Sequence, residues 1–479
     1  NCGPIICAYH DVAWSPKEMV TQVSARCAGL RDLNVNKGDK IGIFHGGTRE
    51  FFADIFAVWS VGACAVCVNP DITPAEAKKI NEFVSPRAIL GDKKSQRRLE
   101  FMDQVCFSDI SIVGKQGLDE NKSNDYLDND ALILFTSGTT GTPKGVVHSY
   151  RSLKARIALN QDYIKHHDLE VSLCPLPTHF GHGLIGNCLT PLASGGAVVL
   201  PSGNLIDISS RLGQIIDDYN ITFMSSVPAL WNMALRMSER PKKKSLRRIH
   251  IGSAPLDGDT WQKICTWSGI ENVINMYGIT ETANWFSGAS AINGNLVSGL
   301  VGVSWGGSVR VLSEDETLRE FGRGELVLRS PSLFSRYFQQ PELTEKAFFQ
   351  GWYRTGDIAE INEAGQIQLI GRIKFEINRA GVKISPEDIE TMLMAHPKIH
   401  EVCAFAVPDK MAGEIVGVAY SQKPFEALDE NALVEWCSER ITLDKRPEIW
   451  FKLSELPKTD RGKIDRKMLL KQLAAPSGD

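Results

Sequence analysis

Leu134-Phe135-Thr136-Ser137-Gly138-Thr139-Thr140-Gly141-Thr142-Pro143-Lys144-Gly145 is the stretch on which the reading of this chain turns. The run from Ala131 to Phe135 that leads into it is apolar and reads as a buried strand. Hydroxyls, glycines and a single lysine follow. Glycines let the backbone turn tightly and bring its N–H groups close to a polyanion. The hydroxyls add donors and Lys144 adds positive charge, a combination that suits a triphosphate. The spacing is not that of a Walker loop: Pro143 precedes the lysine and Gly145 follows it, where a Walker loop has Gly before and Ser or Thr after. A Ser/Thr/Gly-rich surface loop is the structural alternative for the stretch taken alone.

A chain of 479 residues exceeds one ordinary core, so two or more domains are expected. A hydrophobic content of 43% and a charged content of 23% belong to a soluble globular protein. The net charge of −4 gives no reason to expect nucleic acid or an anionic membrane as partner. The 11 cysteines are scattered and odd in number, which points to a reducing compartment and a cytoplasmic location. Cys64 and Cys67 have metal-like spacing, but no second pair accompanies them, and the apolar run Ile55 to Val68 around them reads as core. The longest stretch free of Asp, Glu, Lys and Arg runs from Val171 to Ile206. It contains Pro175, Pro177, Pro191 and Pro201, so it is not written as a membrane-spanning helix. A buried pocket wall fits it better. The chain begins with Asn1 rather than Met, so a native N-terminus with any targeting signal is expected to precede it.

The first 130 or so residues alternate helical and strand-like segments: Lys40 to Phe44 as a strand, Phe51 to Val68 as a buried helix, Ala88 to Leu90 as a strand. The alternation continues through Gly196 to Leu200, Leu205 to Tyr219 and Ile221 to Met224, which predicts parallel sheets covered by helices. From Gly299 to Arg329 the pattern turns to β, with Gly306-Gly307 and Gly322-Arg323-Gly324 as turns. Beyond Lys374 the segments shorten into a compact α+β unit. The basic run Lys242 to Arg248 reads as a solvated loop or as a surface attracting the phosphates of coenzyme A. His166-His167 and His179-x-x-His182 have metal-like spacing without a third ligand.

Four more stretches carry chemistry. In Asn275-Met276-Tyr277-Gly278-Ile279-Thr280-Glu281-Thr282, Tyr277 can stack on a purine and Gly278 lets a ligand approach the backbone. Thr280 can donate to an α-phosphate, and Glu281 is a hard oxygen ligand of the kind Mg²⁺ prefers. Gly351-Trp352-Tyr353-Arg354-Thr355-Gly356-Asp357 ends in an Asp that, alone, would be a turn residue. The third runs from Gly371 through Arg372, Lys374 and Gly381 to Glu390. The last, Pro457-Lys458-Thr459-Asp460-Arg461-Gly462-Lys463-Ile464-Asp465, is by itself a charged turn.

Together with the opening stretch, these ordered motifs resemble the adenylate-forming superfamily of acyl-CoA synthetases, peptide-synthetase adenylation domains and luciferases. The resemblance covers nearly the whole chain. It implies an α/β fold with a large N-terminal AMP-binding domain, residues 1–372. That domain would hold parallel-rich sheets with helices plus a β-barrel-like subdomain. A small mobile α+β C-terminal domain, 373–479, would follow. It also implies roles. Thr136, Ser137, Gly138, Thr139, Thr140, Gly141 and Lys144 would hold the triphosphate. The turn Gly252-Ser253-Ala254-Pro255 with Asn275, Met276, Tyr277 and Gly278 would hold the adenine, and Asp357 the ribose hydroxyls. Arg372 would reach the ribose or phosphates. Glu281 would bind Mg²⁺, and Thr280 the α-phosphate. His179 would gate the acyl pocket and thiol tunnel, Lys374 would be the hinge, and Gly381 would line the thiol tunnel. Lys463 would bridge the substrate carboxylate and the phosphates. Asn378 stands where some relatives carry a second lysine, so no catalytic role is assigned to it.

The implied activity is ATP-dependent conversion of a carboxylic acid to its acyl-adenylate, followed by thioester formation with coenzyme A. ATP, Mg²⁺ and coenzyme A, or a carrier protein's phosphopantetheine, are the implied cofactors. Transfer to an acyl carrier protein and a catalytically silent nucleotide-binding scaffold are the alternatives. The acid is expected to lack an α-ammonium, because no acidic residue lies between Val171 and Ile206 to pair with one.

Overall fold

The apolar run after Arg49 holds two elements. Thr48 caps the helix Arg49–Ser60 by accepting the Phe51 amide. Gly62 takes a left-handed φ of 77°, which stops the helix, and the chain leaves as the strand Cys64–Cys67. The continuous helix expected from Phe51 to Val68 is therefore corrected. A short buried apolar run does not separate strand from helix by periodicity. Cys64 and Cys67 are core residues, both buried.

The computed structural model describes residues 3–9, 12–95, 99, 105–107, 126–136, 143–293, 296–373, 376–423, 428–458 and 464–474. The chain packs as two units, one of residues 1–70, 84–136 and 144–374, the other of 71–83, 137–143 and 375–479.

The larger unit holds two sheets. The first has seven strands in the order Arg336–Tyr337, Lys144–Ser149, Asp130–Thr136, Cys64–Cys67, Lys40–Ile43, Ala88–Gly91, Val105–Phe107. The last five are parallel and the first two antiparallel. Ile41, Ile43, Ala65, Leu132 and Leu134 of its centre lie in one buried cluster. Burial on both faces accounts for their unbroken apolar runs.

The second sheet has 15 strands. Ile5–Cys7, Ala197–Leu200, Val171–Leu173, Phe223–Ser226, Arg248–Ile251 and Val273–Gly278 form its parallel half. The antiparallel half continues through Trp285–Ser290, Leu300–Ser304, Ile367–Arg372, Trp352–Ile361, Gly322–Arg329 and Ser308–Leu312. The predicted helix from Leu205 to Tyr219 is two, Leu205–Ser210 and Leu212–Asp218, broken at Arg211. The strand predicted from Ile221 begins at Phe223.

The halves meet where Val273–Gly278 reverses through the 3-10 turn Thr280–Thr282. Gly278 is required there, since a Cβ would lie 2.3 Å from the Asn284 carbonyl oxygen. Arg156, on the helix Tyr150–Tyr163 and fully buried, ties the reversal down. Its Nε donates to the Thr282 carbonyl at 3.2 Å and to Ser332 Oγ at 3.1 Å, and its other nitrogens donate to the Trp285 carbonyl and Ser332. Backbone carbonyls freed by the turn thus keep partners away from water.

In the smaller unit, Val382–Ile384, Ile377–Arg379, Gly413–Gln422 and Ile399–Asp409 pair antiparallel, and Ile449–Lys452 adds a parallel strand. The helices Pro386–Met394, Glu430–Ser438 and Arg466–Ala474 complete an α+β unit. Among the described residues no helix is long and apolar enough to cross a membrane.

Three histidines of the larger unit are pushed toward the neutral form by desolvation, His148 and His250 fully buried and His182 partly so. Burial pushes His148 and His182 down to about 4, and His250 well below its ordinary range. Each is neutral in the fold, whereas the unfolded chain takes up their protons near pH ~6.5. The stability they contribute is therefore complete above that pH and is lost as the pH falls toward 4. The denaturation midpoint is expected to hold from pH ~8 to ~7 and to drop between ~6.5 and ~5. His148→Gln should flatten that slope, and a midpoint that rises on acidification would contradict the assignment.

Candidate active site

Strand periodicity sets the first wall. Lys144, Val146 and His148 alternate onto one face of Lys144–Ser149, and that face meets the turn at Thr280 and Glu281. The Lys144 ammonium donates to Glu281 Oε1 at 3.0 Å, and His148 Nε2 donates to the Thr280 carbonyl at 2.8 Å. Val146 packs with Tyr277 and Ile279. Thr136 is the register partner of Lys144 across the hairpin, and its buried hydroxyl has no hydrogen-bond partner among the described residues. Ser137, Gly138, Thr139, Thr140 and Gly141 lie outside the described residues.

Glu281 is 6% exposed. Its Oε1 also accepts the Tyr337 hydroxyl at 2.7 Å, and Tyr337 meets the Tyr353 hydroxyl at 3.0 Å. Lys144 Nζ sits 4.2 Å from the Tyr337 ring centre. Burial alone would raise the Glu281 carboxyl, but Lys144 and Tyr337 outweigh it and hold the group at about 2. A buried carboxylate kept anionic suits a hard cation that takes one or two carboxylates plus phosphate oxygens.

A second wall carries Asp357 and Arg372, register partners on neighbouring strands. Arg372 Nε donates to Asp357 Oδ1 at 2.5 Å and the Tyr277 hydroxyl donates to Oδ2 at 2.6 Å. A carboxylate has about four lone-pair positions, so Asp357 keeps capacity for further donors. The Tyr277 ring is 7% exposed and packs into the antiparallel core. Asn275 donates its side-chain amide to the Leu300 carbonyl at 2.8 Å. Met276 is buried and faces Gly252, where a Cβ would lie 3.1 Å from the Met276 carbonyl oxygen. In the turn 252–255, Ser253 holds a φ of 66°. Ala254 is half-buried and Pro255 exposed.

A third wall is the segment predicted to border the acyl side. Thr178 Oγ1 accepts the Gly47 amide at 2.9 Å. His179 is buried against Phe180, with ring centres 4.2 Å apart. His182 opens a π-helix, His182–Leu189, a geometry found most often at functional sites. Its ring joins Ser253 Oγ at 2.8 Å and Ser225 Oγ at 2.6 Å, so both nitrogens that suggested a metal ligand face serine hydroxyls.

In the smaller unit, Ala380 and Gly381 form a hairpin turn with φ values of 50° and 90°. Asn378 Oδ1 accepts the Gly381 amide at 3.0 Å, which gives Asn378 a structural role. Lys374 and Lys463 lie outside the described residues; Lys458 and Ile464, on either side of the latter, pair as an isolated bridge. The basic run is partly matched within the larger unit. The Lys242 and Lys243 amides donate to Asp217 at 2.7 and 2.8 Å, and Arg247 pairs with Glu170 at 2.9 Å. Sequence reasoning missed Tyr337, His148 and Arg156. Tyr337 stands 56 residues from the carboxylate it touches, and no local spacing marks such a pair.

Comparison with known proteins places this geometry. The chain is 31% identical to a probable CoA ligase of Humulus lupulus, over 92% of this chain and 88% of that protein. It is 27% identical to an oxalate–CoA ligase of Arabidopsis thaliana, over 92% and 89%. The solved structure of an o-succinylbenzoate CoA synthetase from Bacillus subtilis superposes with a TM-score of 0.86 at 23% identity, over 98% of this chain and 95% of that one. Residues 388–463 match the AMP-binding enzyme C-terminal domain. With residues 4–338 matching the AMP-binding enzyme family itself, this chain belongs to that family.

Proposed function

We propose that the protein is an AMP-forming acid–thiol ligase that activates a carboxylic acid as its acyl-adenylate and transfers the acyl group to coenzyme A. A carboxylate is a poor acyl donor because oxide would have to leave. Attack of a carboxylate oxygen on the α-phosphorus of ATP forms the mixed anhydride and releases pyrophosphate. Attack of the coenzyme A thiolate on the acyl carbon then expels AMP. Both steps depend on positioning anions and stabilising charge at the reacting centre. The observation that carries the reading is the Lys144–Glu281 pair at 3.0 Å, which joins the lysine closing the glycine-rich stretch to the Thr280 turn.

In this reading Thr136 and Lys144, with Ser137 to Gly141, receive the triphosphate, and Thr280 donates to the α-phosphate. Glu281, held anionic, is the protein ligand for Mg²⁺, which when bound neutralises phosphate charge. Asp357 and Arg372 take the ribose, and the turn Gly252 to Pro255 takes the adenine. Lys463 bridges the carboxylate and α-phosphate, and Gly381 lines the thiol path. Residues 1–372 and 373–479 act as separate domains that reorient about Lys374 between half-reactions. The acid lacks an α-ammonium. A cytoplasmic location is supported by the nine free cysteines among the described residues.

Lys463→Ala is expected to abolish acid-dependent ATP–pyrophosphate exchange while sparing thioester formation from supplied acyl-adenylate; near-normal exchange would sink its assignment. Lys374→Pro should retain exchange and cripple thioester formation, whereas loss of both with a lowered denaturation midpoint would point to misfolding. Glu281→Gln should cut exchange by about 100-fold or more and raise the Mg²⁺ concentration needed for half-maximal rate. An unchanged Mg²⁺ titration would remove Glu281 from the metal site.

A further inference from the structure

The interior behind the acyl-side wall contains a concentration of unanswered hydrogen-bond donors. Trp285 Nε1, Asn284 Nδ2, Trp305 Nε1 and His250 Nδ1 are all buried and have no partner among the described residues. Arg248 Nε donates to His250 Nε2 at 2.7 Å, which leaves the imidazole proton on Nδ1 and makes that atom a donor. The two indoles and the amide nitrogen are donors by their chemistry. Burying so many polar groups without acceptors is costly, and unsatisfied groups in native proteins are few.

These groups share one region. A β-bulge between Trp285 and Ser287 puts Trp285 on the same face as Met276 and Gly288, in one buried cluster with Ile274 and Phe223. The Trp285 ring stands edge-on to His250, with centres 4.5 Å apart, and edge-on to His182 at 5.8 Å. A Cβ on Gly186 of the π-helix would lie 2.4 Å from Asn284 Nδ2 and 2.6 Å from the Trp285 ring. A Cβ on Gly288 would lie 3.2 Å from the Trp305 ring. His182 connects the region to the adenine turn through Ser253. Trp285 is 2% exposed, so its indole fills this part of the interior.

Resting on the assignment of this wall to the acyl side, we propose that the protein selects a short carboxylic acid carrying a second oxygen acceptor, an oxo or carboxylate group, at its far end. The bulk of Trp285 limits chain length. The indole, amide and imidazole N–H groups receive the distal oxygen. An apolar acid of the same shape leaves those donors unpaired, and sites built to hydrogen-bond reject such analogues strongly.

Three isosteric acids test this in ATP–pyrophosphate exchange: 4-methylpentanoate, 4-oxopentanoate and succinate, with octanoate as a length control. At least one of the two oxygen-bearing acids is expected to exceed 4-methylpentanoate by about tenfold or more in kcat/KM, and the pair separates a neutral from an anionic end. Octanoate should be poor. Trp285→Phe and Trp305→Phe keep a ring and remove an N–H, and each should lower the ratio of oxygen-bearing to apolar acid by about tenfold. Asn284→Ala reads the same ratio should a tryptophan variant fail to fold. Equal or better exchange with 4-methylpentanoate or octanoate overturns the inference and leaves the adenylation reading standing, as does a ratio unmoved in all variants. No exchange with any acid overturns both.

Discussion

One buried carboxylate joins the two sheets of the larger unit. Glu281 sits on the turn where the 15-stranded sheet changes from parallel to antiparallel, and the groups that satisfy it, Lys144 and Tyr337, come from neighbouring strands of the seven-stranded sheet. Removing either partner would leave a desolvated charge short of compensation, which costs far more than a surface ion pair contributes. The arrangement therefore fixes the spacing between the sheets and the charge of the site by the same contacts. Tyr353 behind Tyr337, and Arg156 behind the turn, extend that constraint into the core.

Much of this was legible because it is written locally. The glycine-rich stretch, the Tyr277 to Glu281 turn and the segment leading to Asp357 each combine residue types whose chemistry is readable in a dozen positions. Strand–helix alternation likewise announced parallel sheets. What escaped is non-local or ambiguous. The apolar run from Phe51 through Gly62 to Val68 says buried without saying helix or strand. Tyr337 and Arg156 answer groups on distant segments, and their partners exist only after the chain has folded. The His182 ring looked like half of a metal pair, whereas its two nitrogens are spent on Ser225 and Ser253. Sequence spacing could not supply those serines.

Two walls of the site differ in how their polar groups are answered. Around Glu281 and Asp357 donors and acceptors match one another, which preorganises charge before any ligand arrives. Behind the π-helix the donors outnumber their described acceptors, and aromatic bulk occupies the volume between them. The first wall has the character of chemistry common to every acid the enzyme would take. The second has the character of discrimination among acids.

The pairing of Asp130–Thr136 with Lys144–Ser149 carries a further consequence for how this site can vary. Side chains alternate along a strand, so a slip of one residue in that pairing would turn Lys144 and His148 to the opposite side together. Both contacts with the Thr280–Glu281 turn would vanish at once, and Val146 would leave the core with them. A change in the connection is therefore compatible with these contacts only if it leaves the pairing register intact. The hairpin acts as a mechanical index, its phase held by three alternating residues.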